Sequence, residues 1–353
     1  MERPEEEPTI PQFLFGTPFI AAPMAGGTST PALVQAVHEA GGLGFLAAGY
    51  KSPASMAGEI SAARALGVRF GMNVFVPDAE ALSPGPGERA RLEAYRTELE
   101  PEAAQYGVTL PPLRLDDDDA WQEKIDVLMT DPVEVVSFAF GLPGRAVIQS
   151  LRKAGTLVVT SVTSVQEALA AAEEGPDALV VQHTSAGAHS ASFLTADSAT
   201  PTASTTAELV TQVRSAVGLP LIAAGAIMGS SELRGVLAAG AEAAQIGTAL
   251  VRTEESGARQ THKDALGDPA FTETTMTRAF TGRPARSLVN EFVQNHPNAP
   301  KGYPAIHHLT APVRAAASAA GDPQRLNLWA GTGWRQARTG SARDVVTDFL
   351  NGL

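Results

Sequence analysis

The feature that most restricts the fold is an alternation running from residue 19 to residue 248. Eight short apolar runs occur there, and each but the last is followed by a stretch of helical period. The runs are 19–24 (FIAAPM), 43–48, 69–76 (RFGMNVFV), 133–140 (VEVVSFAF), 157–162, 178–182, 221–224 and 243–246. Short apolar runs alternating with helices read as buried parallel strands, because helices cover both faces of such a sheet. Eight units over about 230 residues favour a closed (β/α)8 barrel above an open doubly wound sheet, although strand number alone does not prove closure. Helix starts fit this reading: Ser29 or Thr30 before Pro31, Ser52 before Pro53, Ser164, and Ser230 or Ser231 are all cap residues at the right offsets.

The alternation breaks twice. Between residues 78 and 131 a turn cluster (SPGPG, 83–87), two helical stretches and an extended proline-rich link form an insertion after the third strand. Its acidic run Asp116–Asp119 reads as a solvated helix cap more simply than as a cation site. After Thr248 the repeat ends. The expected division is a barrel over residues 1–255, a small substrate cap with helical patches over 256–304, and helices over 305–353 that pack back on the barrel.

Composition narrows the function. With 26 Lys+Arg against 38 Asp+Glu, the formal net charge is −12. A field of that sign repels nucleic acid and anionic membranes, so neither is expected as a partner. The absence of cysteine excludes disulfides, thiolate nucleophiles and Cys-based metal sites. The acidic, proline-rich start, MERPEEEPTI, is unlike a secretory signal, and no apolar run reaches the 18 residues of a membrane span. A cytoplasmic enzyme is expected, with a homodimer as one possible state.

In a barrel, chemistry sits at the C-terminal strand ends. Here those ends carry Pro23, Met24, Ala25 and Gly26, then Asn73, Gln182 to His189, Ala224 and Gly225, and Gln245, Ile246, Gly247 and Thr248. The set lacks the carboxylate pair of a glycosidase and the ligand cluster of a catalytic metal, so no metal is expected. It suits a flat heterocycle with a phosphate tail. Asn73 and Gln182 offer hydrogen bonds to ring atoms, small residues leave room for the ring, and Gly225 and Gly247 let backbone N–H groups approach a phosphate that Thr248 also reaches. FMN fits that description. His189 is the residue best suited to proton transfer if its pKa is ordinary, and a structural loop histidine is the competing reading.

Taken in order, AAPMAGG (21–27), GMNVFVP (71–77), SFAFGLP (137–143), VVQHTSAGAH (180–189), IAAGAI (222–227), QIGTALVRTEES (245–256) and NLWAGTG (327–333) resemble the nitronate monooxygenase family. The resemblance implies a TIM barrel that binds FMN noncovalently and oxidises alkyl nitronates, propionate 3-nitronate characteristically, with O2 to a carbonyl compound and nitrite. It implies FMN contacts from Asn73, Gln182, Gly187, Gly225 and Gln245 to Thr248, with Pro23, Met24, Ala25 and Ala224 beside them. His189 falls on the histidine of the family's Gln-Gly-x-Glu-Ala-Gly-Gly-His pattern, which deprotonates nitroalkanes or orients the nitronate. Within that pattern His183 replaces Gly, Ser185 an acid and Ala188 the second Gly, and Ala139 stands where some relatives carry a second histidine. These departures bear on substrate range more than on flavin binding. Two alternatives stay open: an FMN-dependent, NAD(P)H-using enoyl reductase on the same scaffold, and a barrel that binds flavin without catalysis.

Overall fold

The structure is a computed structural model that describes residues 14–194 and 203–353. The acidic start read above lies outside the described residues. In chain order the strands are β1 (Phe19–Ala21), β2 (Gly44–Ala47), β3 (Phe70–Phe75), β4 (Val135–Ala139), β5 (Leu157–Val162), β6 (Ala178–Gln182), β7 (Ala188–His189), β8 (Leu221–Ala224), β9 (Ala243–Ile246), β10 (Thr274–Thr277) and β11 (Ala285–Leu288). Eight of them form one parallel sheet in the order β1-β9-β8-β6-β5-β4-β3-β2. Its two edges meet: Ile20 bridges Leu43, Ala21 N donates to Leu43 O at 2.8 Å and Leu43 N donates to Phe19 O at 3.0 Å. The sheet is therefore closed, as a (β/α)8 barrel requires.

Alternation along each strand explains the two cores. Ile20, Phe45, Val135, Val159, Val180 and Ile222 fill the barrel interior, whereas Phe19, Ala21, Leu179, Val181, Leu221 and Ala223 face the surrounding helices. Gly71 shows how tight the interior is. It pairs with Phe45 across β2 and β3, and a Cβ there would lie 2.3 Å from the Phe45 ring. Outer helices begin where the sequence placed caps: Thr30, Ser52 and Ser164 each accept from a backbone N–H one turn on. The helix Ser230–Ala238 differs. Its cap is the extended Gly229 without a side-chain bond, so neither Ser230 nor Ser231 serves.

The outlying segments build a layer over the C-terminal end of the barrel. The insertion contains helices Pro86–Glu98, Glu100–Gln105 and Trp121–Thr130. Its Leu92, Tyr95 and Leu99 share a core with Phe280, Phe292, Ile306 and Leu309. The helix Ala305–Ala319 thus rests on the insertion, because Ile306, Leu309 and Val313 recur on one face. Of the two C-terminal helices, Ala342–Asn351 packs on the barrel, with Phe349 edge-on to Phe19 at 5.2 Å. The helical patches read after Thr248 also include an unexpected small antiparallel sheet, β10-β11-β7. Its third strand, Ala188–His189, comes from the far end of β6, a pairing that no local period reveals.

The acidic run is not a solvated cap. The helix Trp121–Thr130 is capped by Ala120 in the left-handed region with no side-chain bond. Asp117 instead meets His308 at 2.6 Å, and Asp119 pairs with the buried Lys124 at 2.7 Å while accepting from Tyr50 N at 2.9 Å. Only Asp116 stands fully in solvent. Buried Lys124 and the open N–H of Tyr50 draw Asp119 inward, because partnered charges tolerate burial.

Candidate active site

A cavity of about 250 Å³ opens at the C-terminal ends of the barrel strands. Every residue predicted for the site lines it: Pro23, Met24, Ala25, Asn73, Gln182, Gly187, His189, Ala224, Gly225, Gln245, Ile246, Gly247 and Thr248. Strand alternation brings them together from β1, β3, β6, β8 and β9.

The glycine turns form one side. Gly225 has φ +126°, and a Cβ there would stand 2.8 Å from Ser185 Oγ. Gly187 admits the loop before Gly333, since a Cβ would lie 2.6 Å from the backbone of both Ala330 and Gly331. That loop is pinned: Thr332 N donates to Ser185 O at 3.0 Å, and Gly331 N donates to Thr248 Oγ1 at 3.0 Å. The Thr248 hydroxyl accepts this bond and keeps its own proton for a ligand. The departures His183 and Ser185 brace the same turn, with Ser185 Oγ 2.8 Å from His183 Nδ1 and Thr206 Oγ1 donating to Gly225 O at 2.7 Å.

The amides are partly committed elsewhere. Asn73 Nδ2 donates to Ser137 O (3.1 Å) and Oγ (2.9 Å). Gln182 Nε2 donates to His189 O at 3.0 Å while Oε1 accepts from Ala191 N at 2.8 Å. Gln182 was expected to read a ring through both its groups. It also holds the β7 segment, which leaves one amide hydrogen and the second lone pair of Oε1 for a ligand.

His189 is fixed from several directions. Its backbone belongs to β7, paired with Ala285. Its Nε2 lies 2.9 Å from Thr281 Oγ1, and its ring is edged by Phe140 at 5.7 Å, Tyr303 at 5.9 Å and Trp329 at 5.3 Å. Burial, then the charges of Arg283 and Arg314, pushes its pKa down to about 3. The expectation of an ordinary pKa is overturned: the imidazole is neutral near pH 7 and a weak base.

Several lining residues were not singled out from sequence, namely Tyr50, Arg259, His262, Arg314 and Asn327 as ligand contacts. Tyr50 stacks flat on His307 at 4.1 Å and 3°, with Tyr303 edge-on to it at 6.4 Å. Arg314 was legible as a lone charge in the alanine-rich helix TAPVRAAASAA. Arg259 and Arg314 line the cavity and, among the described residues, no Asp or Glu does, in a chain of net charge −12. Backbone strain gathers here as well. Six non-glycine residues have positive φ among the described residues, and four of them, Tyr50, Phe140, Ala188 and Ala226, line the cavity. Ala188 sits at φ +65° at the position where the family pattern has glycine.

A closed barrel whose strand ends converge on one cationic, small-residue pocket defines an enzyme of the (β/α)8 class. The sequence model of the nitronate monooxygenase family matches residues 9–352. A Staphylococcus aureus (strain MSSA476) protein named "Probable nitronate monooxygenase" is 36% identical over 345 residues, covering 95% of this chain and 94% of that one. The solved nitroalkane oxidase from Streptomyces ansochromogenes is 48% identical, with a TM-score of 0.91 over 97% of each chain. FabK from Thermotoga maritima, at 24% identity and a TM-score of 0.71 over 96% of this chain and 93% of its own, shares the fold. The chain belongs to the nitronate monooxygenase family and is an oxidoreductase.

Proposed function

We propose that the protein binds FMN noncovalently and oxidises alkyl nitronates, of the propionate 3-nitronate class, with O2 to a carbonyl compound and nitrite. The observation that carries this reading is the charge of the cavity: among the described residues its lining offers two arginines and no carboxylate, so it favours anions in an otherwise acidic protein. The similarity to a nitroalkane oxidase and to nitronate monooxygenases supports the substrate class.

The residues fit a flavin phosphate. Gly225 and Gly247 leave backbone within reach of an anion, Thr248 keeps a free hydroxyl proton, and Ala25, Gly26, Ala186 and Ala188 leave room beside them. When bound, the flavin supplies the electron acceptor and the reactivity with oxygen. Asn73, fixed by Ser137, sits on the strand between β2 and β4 and orients the ring. His189, neutral and held by Thr281, orients the nitronate through an uncharged nitrogen. A nitronate has already lost its proton, so the weak basicity of His189 does not oppose its oxidation. Phe140, Tyr303 and Trp329 keep water from that end.

The purified protein is expected to be yellow, to consume O2 and to release nitrite from propionate 3-nitronate. A colourless protein that FMN does not reconstitute would sink the proposal. Rapid anaerobic bleaching by NADH or NADPH would replace the reaction while keeping the cofactor.

A further inference from the structure

Arg314 is 8% exposed and lines the cavity. Arg283 also lacks a carboxylate partner among the described residues, but it donates to the carbonyls of Ser190 and Ser192, lies over the Phe140 ring and does not line the cavity, whereas the buried carboxylates and Lys124 are compensated. Lys124 meets Asp119 at 2.7 Å, Glu102 meets Arg325 at 2.9 Å, and Glu167 accepts from the backbone of Thr163, Phe193 and Leu194. Arg314 pairs with no carboxylate among the described residues, and its hydrogen bonds go to neutral groups. Nε donates to Thr310 Oγ1 at 3.1 Å, Nη2 donates to His307 O at 2.9 Å and lies 3.3 Å from His307 Nδ1, while Nη1 has only a long 3.5 Å approach to Asn327 Oδ1 and is the nitrogen left open. These bonds fix the fork without neutralising it. A buried guanidinium in that condition is costly unless a ligand brings the missing negative charge.

The position of the charge says which anion. The glycine turns lie after β8 and β9, whereas Arg314 holds His307, and His307 stacks on Tyr50 in the loop after β2. The charge of Arg314 is also felt at His189. Arg314 therefore serves the His189 end of the cavity, away from the turns assigned to the cofactor phosphate. A nitronate carries its charge on a planar O–N–O group, which the charge of Arg314 and the open N–H groups of Nη1 can meet. The neutral parent nitroalkane has the same outline without the net charge.

We propose that Arg314 is the residue that selects the charge state of the substrate, holding the nitronate anion and discriminating against the neutral nitroalkane. This rests on the nitronate reading above and adds a specificity determinant to it.

The test uses FMN-loaded protein with Arg314→Gln and Arg314→Lys. KM and kcat are measured for a simple alkyl nitronate and for its neutral nitroalkane, and acetate serves as an unreactive planar anion read by thermal shift. In Arg314→Gln, KM for the nitronate should rise roughly 10- to 100-fold, as expected for loss of a charge-assisted hydrogen bond. KM for the nitroalkane should move less than about threefold. Acetate should stabilise the wild type and not Arg314→Gln, and Arg314→Lys should recover part of both effects. Equal changes for the two substrates, or no change, would overturn the assignment while leaving the nitronate reading in place. If the wild type oxidises neither substrate, that reading fails and the acetate arm alone decides the role of Arg314. If Arg314→Gln does not fold, Arg314→Lys decides by the same ratio: it retains the charge but withdraws the donor at the Nη1 position, so an unaltered nitronate preference would overturn the contact.

Discussion

Burial and the neighbouring cations Arg283 and Arg314 push His189 down to about 3, which makes two results predictable. In the unfolded chain this histidine titrates near the ordinary 6.5, so between about pH 3 and 6.5 the unfolded state binds a proton that the native state refuses. Its contribution therefore lowers stability as pH falls through 6.5 toward 3. A His189→Ala variant should lose less stability than the wild type over that range in denaturant titrations at stepped pH, and parallel losses would show that the imidazole is not buried as described. With a preformed nitronate, kcat/KM should show no ionisation between pH 5 and 8 that His189→Ala removes. Gly187 allows a second test at this scale. Because a Cβ would meet backbone on both Ala330 and Gly331, Gly187→Ala should displace that loop, destabilise by about 1–3 kcal/mol in chemical denaturation and weaken FMN binding. An unaltered midpoint and an unaltered flavin affinity would remove the clash from the account.

At the scale of elements, two polar clasps tie the overlying layer together and to the barrel. Lys124 is fully buried between Asp119 and the carbonyl of Ala48, which it reaches at 2.9 Å, and Asp119 in turn holds Tyr50 N. Lys124→Met removes one partner and strands the carboxylate, so a loss of about 3–5 kcal/mol is expected by denaturant titration; a loss under about 1 kcal/mol would refute the clasp. The second clasp joins the insertion to the helix Glu291–Asn295. His296 Nδ1 lies 2.6 Å from Glu98, and Arg325 pairs with Glu102. Burial works against the charged imidazole, yet Glu102 and Glu98 outweigh it and raise the His296 pKa. The folded value lies above the ordinary 6.5, so this contribution is fully present below 6.5 and disappears as pH rises through the raised value. Amide exchange in the helices Pro86–Glu98 and Glu291–Asn295 should accelerate, relative to the barrel, as pH climbs past that point once intrinsic rates are corrected. The strand–helix alternation and three of the caps were legible in the sequence because they depend on spacing a few residues wide. The sheet β10-β11-β7 and both clasps were not. Each joins segments tens to hundreds of residues apart, such as Arg286 with Ala188 or His296 with Glu98, and no local period encodes such a meeting.

For the whole molecule, the hydrophobic clusters fall into separate regions. Barrel interior and barrel–helix layers involve one set of residues, while Leu92, Tyr95, Phe280, Phe292 and Ile306 form a core of their own over the mouth. The cavity lies between these bodies: its predicted lining came from strand ends, and of the residues missed in the sequence, Asn327 and Arg314 come from the overlying layer while Tyr50 follows β2. Glycine turns and strand tips announce themselves by composition, whereas an arginine on a distant helix reaches the same space only through tertiary packing. Two cores predict two levels of native-state opening. Hydrogen exchange should show the helices Pro86–Glu98 and Ala305–Ala319 opening at lower denaturant than β5 and β6, and a single shared isotherm would contradict it. The strand carrying His189 spans this divide, leaving the barrel after β6 and pairing with β11 above. Because the imidazole rides on that small sheet, any displacement of the sheet from the mouth would move His189 and the cavity wall together.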